Sequence, residues 1–120
     1  MLDLINQERS RAGVGPLKID SKLQTMAQAK SDDMVAKAYF DHTSPTYGSP
    51  FEMMKKFGIS YTSAGENIAG NSSVDKAHAA LMNSPGHKAN ILKASFNYIG
   101  IGMTASAKYG KMFAQDFVGR

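Results

Sequence analysis

Ile99, Ile101 and Met103 alternate with Gly100 and Gly102, and in Lys111 to Val118 a second alternating run puts Phe113, Gln115 and Phe117 on one face. Two period-2 runs joined by the short connection ASAKYG read as a β-hairpin at the end of the chain. Everything upstream is mainly helical in pattern, with strand-like pieces between. Helices before and between strands, closed by a terminal hairpin, predict antiparallel pairing and an α+β layer arrangement.

Leu2, Ile5 and Ala12, with Leu4 beside them, predict a first helix that ends near Gly13, where GVGP stops it. Leu17 and Ile19 alternate with Lys18 and Asp20, which suits a strand. Asp20 or Ser21 then caps a long second helix with Leu23, Met26, Ala27, Met34 and Ala38 on its buried side. DHTSPTYGSP is rich in turn residues and reads as loop, after which Ser49–Pro50 starts a short helix stopped by Gly58. Tyr61 to Ala69 contains a strand that places Glu66 between Gly65 and Asn67. Ser72 and Asp75 match a capping pattern for a helix through Leu81, and Ser84, Pro85 and Gly86 begin another that carries His87. No internal repeat breaks the 120 residues, which are expected to form one domain, residues 1–120, and to be monomeric.

With 42% hydrophobic residues the chain can bury one core without staples. It has no cysteine, which removes disulfides, thiolate metal sites and cysteine nucleophiles together. Fourteen basic against ten acidic residues give a formal charge of +4, but the lysines are scattered singly. A nucleic-acid protein would show a basic stripe interleaved with aromatics. Weak attraction to anionic surfaces such as cell-wall polymers fits better. No window reaches the roughly 18 apolar residues of a membrane span. Met1 leads directly into LDLINQERSRAG, which has no hydrophobic signal core, so a leader is expected to have been removed or the sequence to be one part of a longer extracellular protein.

Three strings in fixed order carry the chemistry: YFDHTSPTYGSPF with His42, AGENIAG with Glu66, and NSPGHKANIL with His87. Two imidazoles and a carboxylate suit Zn²⁺ with an open coordination position, or a general acid/base cluster without metal. Taken singly, each has a plainer reading: His42 as a loop histidine, Glu66 as a surface charge, His87 as a capping or surface residue. His78 shares a helical face with Val74 and Leu81 and reads as a packing histidine. Gln115, between Phe113 and Phe117, needs amide partners and is a candidate for orienting a site residue. Ser44 and Ser84 lie near the two histidines in sequence, but neither sits in a nucleophile elbow.

FDHTSP, GEN and SPGH in this order resemble a bacterial member of the CAP superfamily, the SCP-like extracellular domains, from about Leu2 to Val118. The resemblance implies a three-layer α-β-α sandwich with a mainly antiparallel sheet, and a secreted or cell-surface location. It also implies a site at His42, Glu66 and His87, with Glu66 as the candidate general base and all three as candidate ligands for Zn²⁺ or another divalent cation. Many animal and plant members carry a second acid on the helix before the second histidine. Here DKAHAALMN offers Ala79 or Ala80 at that place, and Leu81 where bacterial relatives often have Trp. Two functions follow as expectations: a binding module for a peptide, glycan or lipid, which is preferred, and a metal-assisted hydrolase in which Glu66 activates water.

Overall fold

The computed structural model describes residues 1–120 as α1 (Leu2–Arg11), β1 (Lys18–Ile19), α2 (Ser21–Ala36), α3 (Pro50–Lys56), β2 (Ser63–Asn71), α4 (Val74–Met82), α5 (Pro85–Leu92), β3 (Tyr98–Ser106) and β4 (Gly110–Gly119). The strands form one sheet in the order β1-β3-β4-β2. β3 and β4 make the terminal hairpin that the alternation predicts, and β2 pairs antiparallel with β4. The two-residue β1 pairs parallel with β3. The outcome is a mixed α/β sandwich, with α2 and α3 on one face of the sheet and α1, α4 and α5 on the other.

Alternation along β4 divides the core in two. Phe117 joins Ile5, Leu17, Leu81, Ile91, Phe96 and Ile99 on the α1/α4/α5 side, its ring stacked on Phe96 with centroids 5.4 Å apart. Val118 packs with Leu23, Met26, Met53, Met54 and Ile59, and Met112 and Ala114 with Ala27, Met34 and Ile68, on the side of α2. The buried fork of Arg9 ties the first side together, donating to the carbonyls of Gly15, Ile91, Lys93 and Phe96 at 2.6–3.0 Å.

α2 lies along β3 because their repeats match. Four helical residues rise about 6 Å and two strand residues about 6.7 Å. Gln24 therefore pairs its amide with both the N–H and C=O of Ile101, and Gln28 does the same with Met103. The helix sits so close that a Cβ on Gly100 or Gly102 would collide with the carbonyl oxygens of Leu23 and Ala27. These two glycines are required by that approach.

Caps set the ends. Asp20 accepts from Leu23 N–H at 3.0 Å to start α2, and Ser49 with Glu52 forms a full capping box on α3. The cap of α4 is Ser73, one residue later than the pattern at Ser72 suggested, because its hydroxyl is the one that reaches Lys76 N–H. Ala38 is not on the buried side of α2. The helix stops at Ala36, with Tyr39 N–H bonded to Met34 O and Ala38 N–H to Val35 O, and Ala38 turns the chain outward at φ 54°. This reversal sends the chain directly into the loop that carries His42.

Candidate functional site

β2 and β4 pair with Glu66 opposite Asp116 and Asn67 opposite Gln115. Because side chains alternate, the two acids project toward α2 and the two amides toward α5. On the α2 side, the loop after the helix lays His42 over Glu66, with Nδ1 2.9 Å from Oε1. The Glu66 side chain is 2% exposed and that of His42 48%. The hydrogen bond that His42 Nδ1–H donates to Glu66 raises the His42 pKa above its ordinary value; burial opposes this, and the negative charge of Glu66 adds to it.

Asp116 is fully buried. No N–H or O–H from outside this pair reaches either of its oxygens or Oε2 of Glu66. Burial first, then the charge of Glu66 and a hydrogen bond with it, push the Asp116 carboxyl well above the usual carboxylate range, and Lys30 only partly offsets them. Asp116 thus keeps its proton where an ordinary aspartate has ionised, and it is positioned to donate that proton to Glu66. The second acid of this cluster comes from β4 and not from the helix before His87.

The other face holds a neutral network. Asn67 Nδ2 donates to His87 O and to Gln115 Oε1, both at 3.1 Å, and Asn67 Oδ1 accepts from Asn90 Nδ2 at 2.9 Å. Gln115 bonds Asn67 and Met1 and makes no hydrogen bond to the side chain of His42, Glu66 or His87, so it helps hold Asn67 and does not itself orient one of those three. These amides pin α5 beside β2. His87 itself bonds Ser84 Oγ through Nδ1 at 2.9 Å and makes no hydrogen bond to His42 or Glu66. Ser44 is buried and donates to Asp33, so it is unavailable as a nucleophile. His78 is buried in α4 and burial lowers its pKa, as a packing histidine requires.

His42 and Glu66 are thus in direct contact, while His87 sits on the adjoining helix. No three His, Asp or Glu side chains stand together as a metal-holding group, so His42, Glu66 and His87 are not a preformed three-ligand set. Beside the loop, Phe40, Tyr39, Met34, Tyr109 and Met112 line an open apolar hollow of about 360 Å³. Sequence reasoning overlooked Asp116 and Lys30. Both occupy positions that strand and helix periodicity assign to the core, and a charged side chain at such a position is the signal that was available.

Known proteins place the chain. It is 51% identical over its whole length to YkwD of Bacillus subtilis (strain 168), of which it spans 46%. It is 33% identical to an extracellular protein containing an SCP domain from Bacillus anthracis strain Ames, with a TM-score of 0.88 over 99% of this chain and 39% of that one. An outer surface protein of Borrelia burgdorferi, at 21% identity, shares the fold at a TM-score of 0.90 over 99% of this chain and 89% of that one. The chain spans less than half the length of YkwD and of the Bacillus anthracis protein. With the CAP model, the cysteine-rich secretory protein family, matching residues 2–117, this cysteine-free chain belongs to the CAP family.

Proposed function

We propose that the domain acts outside the cell or at its envelope as a binding module, in which His42, backed by buried Glu66, holds a carbonyl or carboxylate oxygen of a peptide, glycan or lipid ligand. One observation carries this reading: Nδ1 of His42 is committed to Glu66, yet about half of the side chain stays open. Nε2 is left as a donor, and the raised pKa favours the charged ring that donates best. A divalent cation such as Zn²⁺ must compete with the proton that Glu66 helps to hold, whereas an acceptor oxygen meets no such competition. The apolar hollow rimmed by Phe40, two residues before His42, gives an uncharged part of the ligand somewhere to pack. Placement outside the cell is supported by the extracellular and outer-surface proteins that the chain resembles, and its net charge of +4 suits anionic envelope polymers.

The Asp116–Glu66 pair favours a second reading, a hydrolase. Two carboxyls with one proton between them are a recurring device for general acid and base work. Both readings are tested by one incubation of the chain with cell-wall fragments, peptide libraries and lipids, with retained ligands and cleavage products identified by mass spectrometry. The binding reading expects a retained ligand whose affinity falls about tenfold or more in His42→Gln, without products. Absence of any retained ligand contradicts it, and products that disappear in Glu66→Gln establish the hydrolase instead.

A further inference from the structure

Lys30 occupies the buried stripe of α2 between Met26 and Met34, where a third methionine would fill the space without burying a charge. Its ammonium is fully enclosed, and its three donors meet three acceptors: Asp41 O at 2.7 Å, His42 O at 3.0 Å and Tyr39 Oη at 3.3 Å. Its Nζ also stands 4.8 Å from the centre of the Tyr39 ring. One turn on, Asp33 accepts from the hydroxyls of Tyr39, Ser44 and Thr46 at 2.5–2.7 Å. Ser44 Oγ in turn accepts from the N–H groups of Thr46 and Tyr47, both at 3.0 Å. The cation takes the carbonyls on one side of the loop and the anion takes the hydroxyls on the other, with Tyr39 Oη linking the two.

Glu66 and Asp41 supply further negative charge around Lys30. Burial lowers the Lys30 pKa and these carboxyls oppose that. Burial alone would raise Asp33, but its hydroxyl donors and Lys30 bring it below the ordinary value. Both charged groups are therefore held by the contacts they make to the loop.

We propose that Lys30 and Asp33 are positioning residues that clamp the loop from Tyr39 to Gly48 and so hold the His42 imidazole against Glu66. This rests on reading His42 and Glu66 as the working pair, but its test needs no ligand, so failure of ligand binding and failure of the clamp are separate results. A hydrophobic staple at Lys30 would preserve the fold and release the histidine. The clamp thus separates a residue's role in folding from its role in aiming a side chain.

The test is isotope-labelled histidine NMR on the 120-residue chain and its variants Lys30→Met, Lys30→Arg, Asp33→Asn and Thr46→Val. In the parent chain, His42 should show a slowly exchanging Nδ1–H characteristic of a bond to carboxylate. In folded Lys30→Met and Asp33→Asn that signal is lost or broadened, the signals of His78 and His87 stay in place, and Lys30→Arg restores part of it. Thr46→Val removes one of the three hydroxyl donors to Asp33 from an otherwise exposed residue, so it keeps the idea testable if the Lys30 and Asp33 variants do not fold; its Tyr47 amide exchanges about tenfold faster. An unchanged His42 signal in folded Lys30→Met overturns the proposal, as does unchanged Tyr47 exchange in Thr46→Val. Simultaneous shifts of all three histidines in Lys30→Met also overturn it, since they mark general loosening and not a clamp.

Discussion

Glu66–Asp116 and Asn67–Gln115 are cross-strand pairs one residue apart on β2 and β4, nearly the same in shape, and they face opposite sides of the sheet. In the amide pair donors meet acceptors. Asn67 gives to His87 O and Gln115, and takes from Asn90. Its result is architecture: a helix fixed to an edge strand. The carboxyl pair has only acceptors until a proton is added, and oxygens of both residues have no other donor within reach. Its unmet capacity is turned toward His42, the one member of the group open to solvent. A saturated buried network stabilises, whereas an unsaturated one stores reactivity.

The largest effect should come from making the amide pair resemble the acid pair. Asn67→Asp turns a donor facing His87 O and Gln115 Oε1 into an acceptor in a buried site, and should cost about 3–5 kcal/mol in urea denaturation. The converse change, Asp116→Asn, replaces a protonated acid with a neutral amide that can still donate to Glu66. It should cost about 1 kcal/mol or less in the same measurement. Comparable losses in the two variants would mean that Asp116 is ionised in the folded chain, and the contrast between the pairs would be lost.

Stability against pH sharpens the same contrast. Asp116 and His42 both have raised pKa values in the folded chain. For Asp116, the favourable contribution is complete below about pH 3.9, the unfolded value, and is lost as pH rises toward its folded pKa. For His42, the contribution is complete below about pH 6.5 and is lost as pH climbs through the folded pKa. Asp33 has the opposite sign, because its lowered pKa gives stability above the ordinary aspartate value that is lost on acidification. Denaturation series should therefore show Asp116→Asn removing a decline that begins in the acid range, and His42→Asn removing one that begins near neutrality. The smallest effect is that of a chelator. The core is built from periodic apolar residues, so folding is expected to be independent of metal and the melting temperature should move by no more than about 2 °C. Loss of the cooperative transition would show a structural metal.

Much of this was legible in the chain itself. Alternation at Ile99 to Met103 and Phe113 to Phe117 identified the hairpin, Ser49–Pro50 the start of α3, and the run from Tyr61 to Ala69 the strand that carries Glu66. What could not be read was which long-range neighbours would meet. Asp116 acquires its chemistry only when β2 is laid beside β4, a pairing of residues 50 positions apart. Lys30 interrupts an otherwise apolar stripe, and its partners lie in a loop whose path is set by the reversal at Ala38, a residue with no local turn preference. His87 was placed on its helix correctly. That its ring turns to Ser84 depends on a single rotamer that no spacing specifies.

The most direct test is an NMR titration of the three histidines in the parent chain and in Glu66→Gln. His42 should titrate above the ordinary imidazole value and His78 below it. Glu66→Gln should bring His42 down toward the ordinary value and leave His78 where it was. A His42 that titrates at or below the ordinary value in the parent chain, or one that Glu66→Gln does not move, would contradict the pairing of His42 with Glu66 on which the site depends.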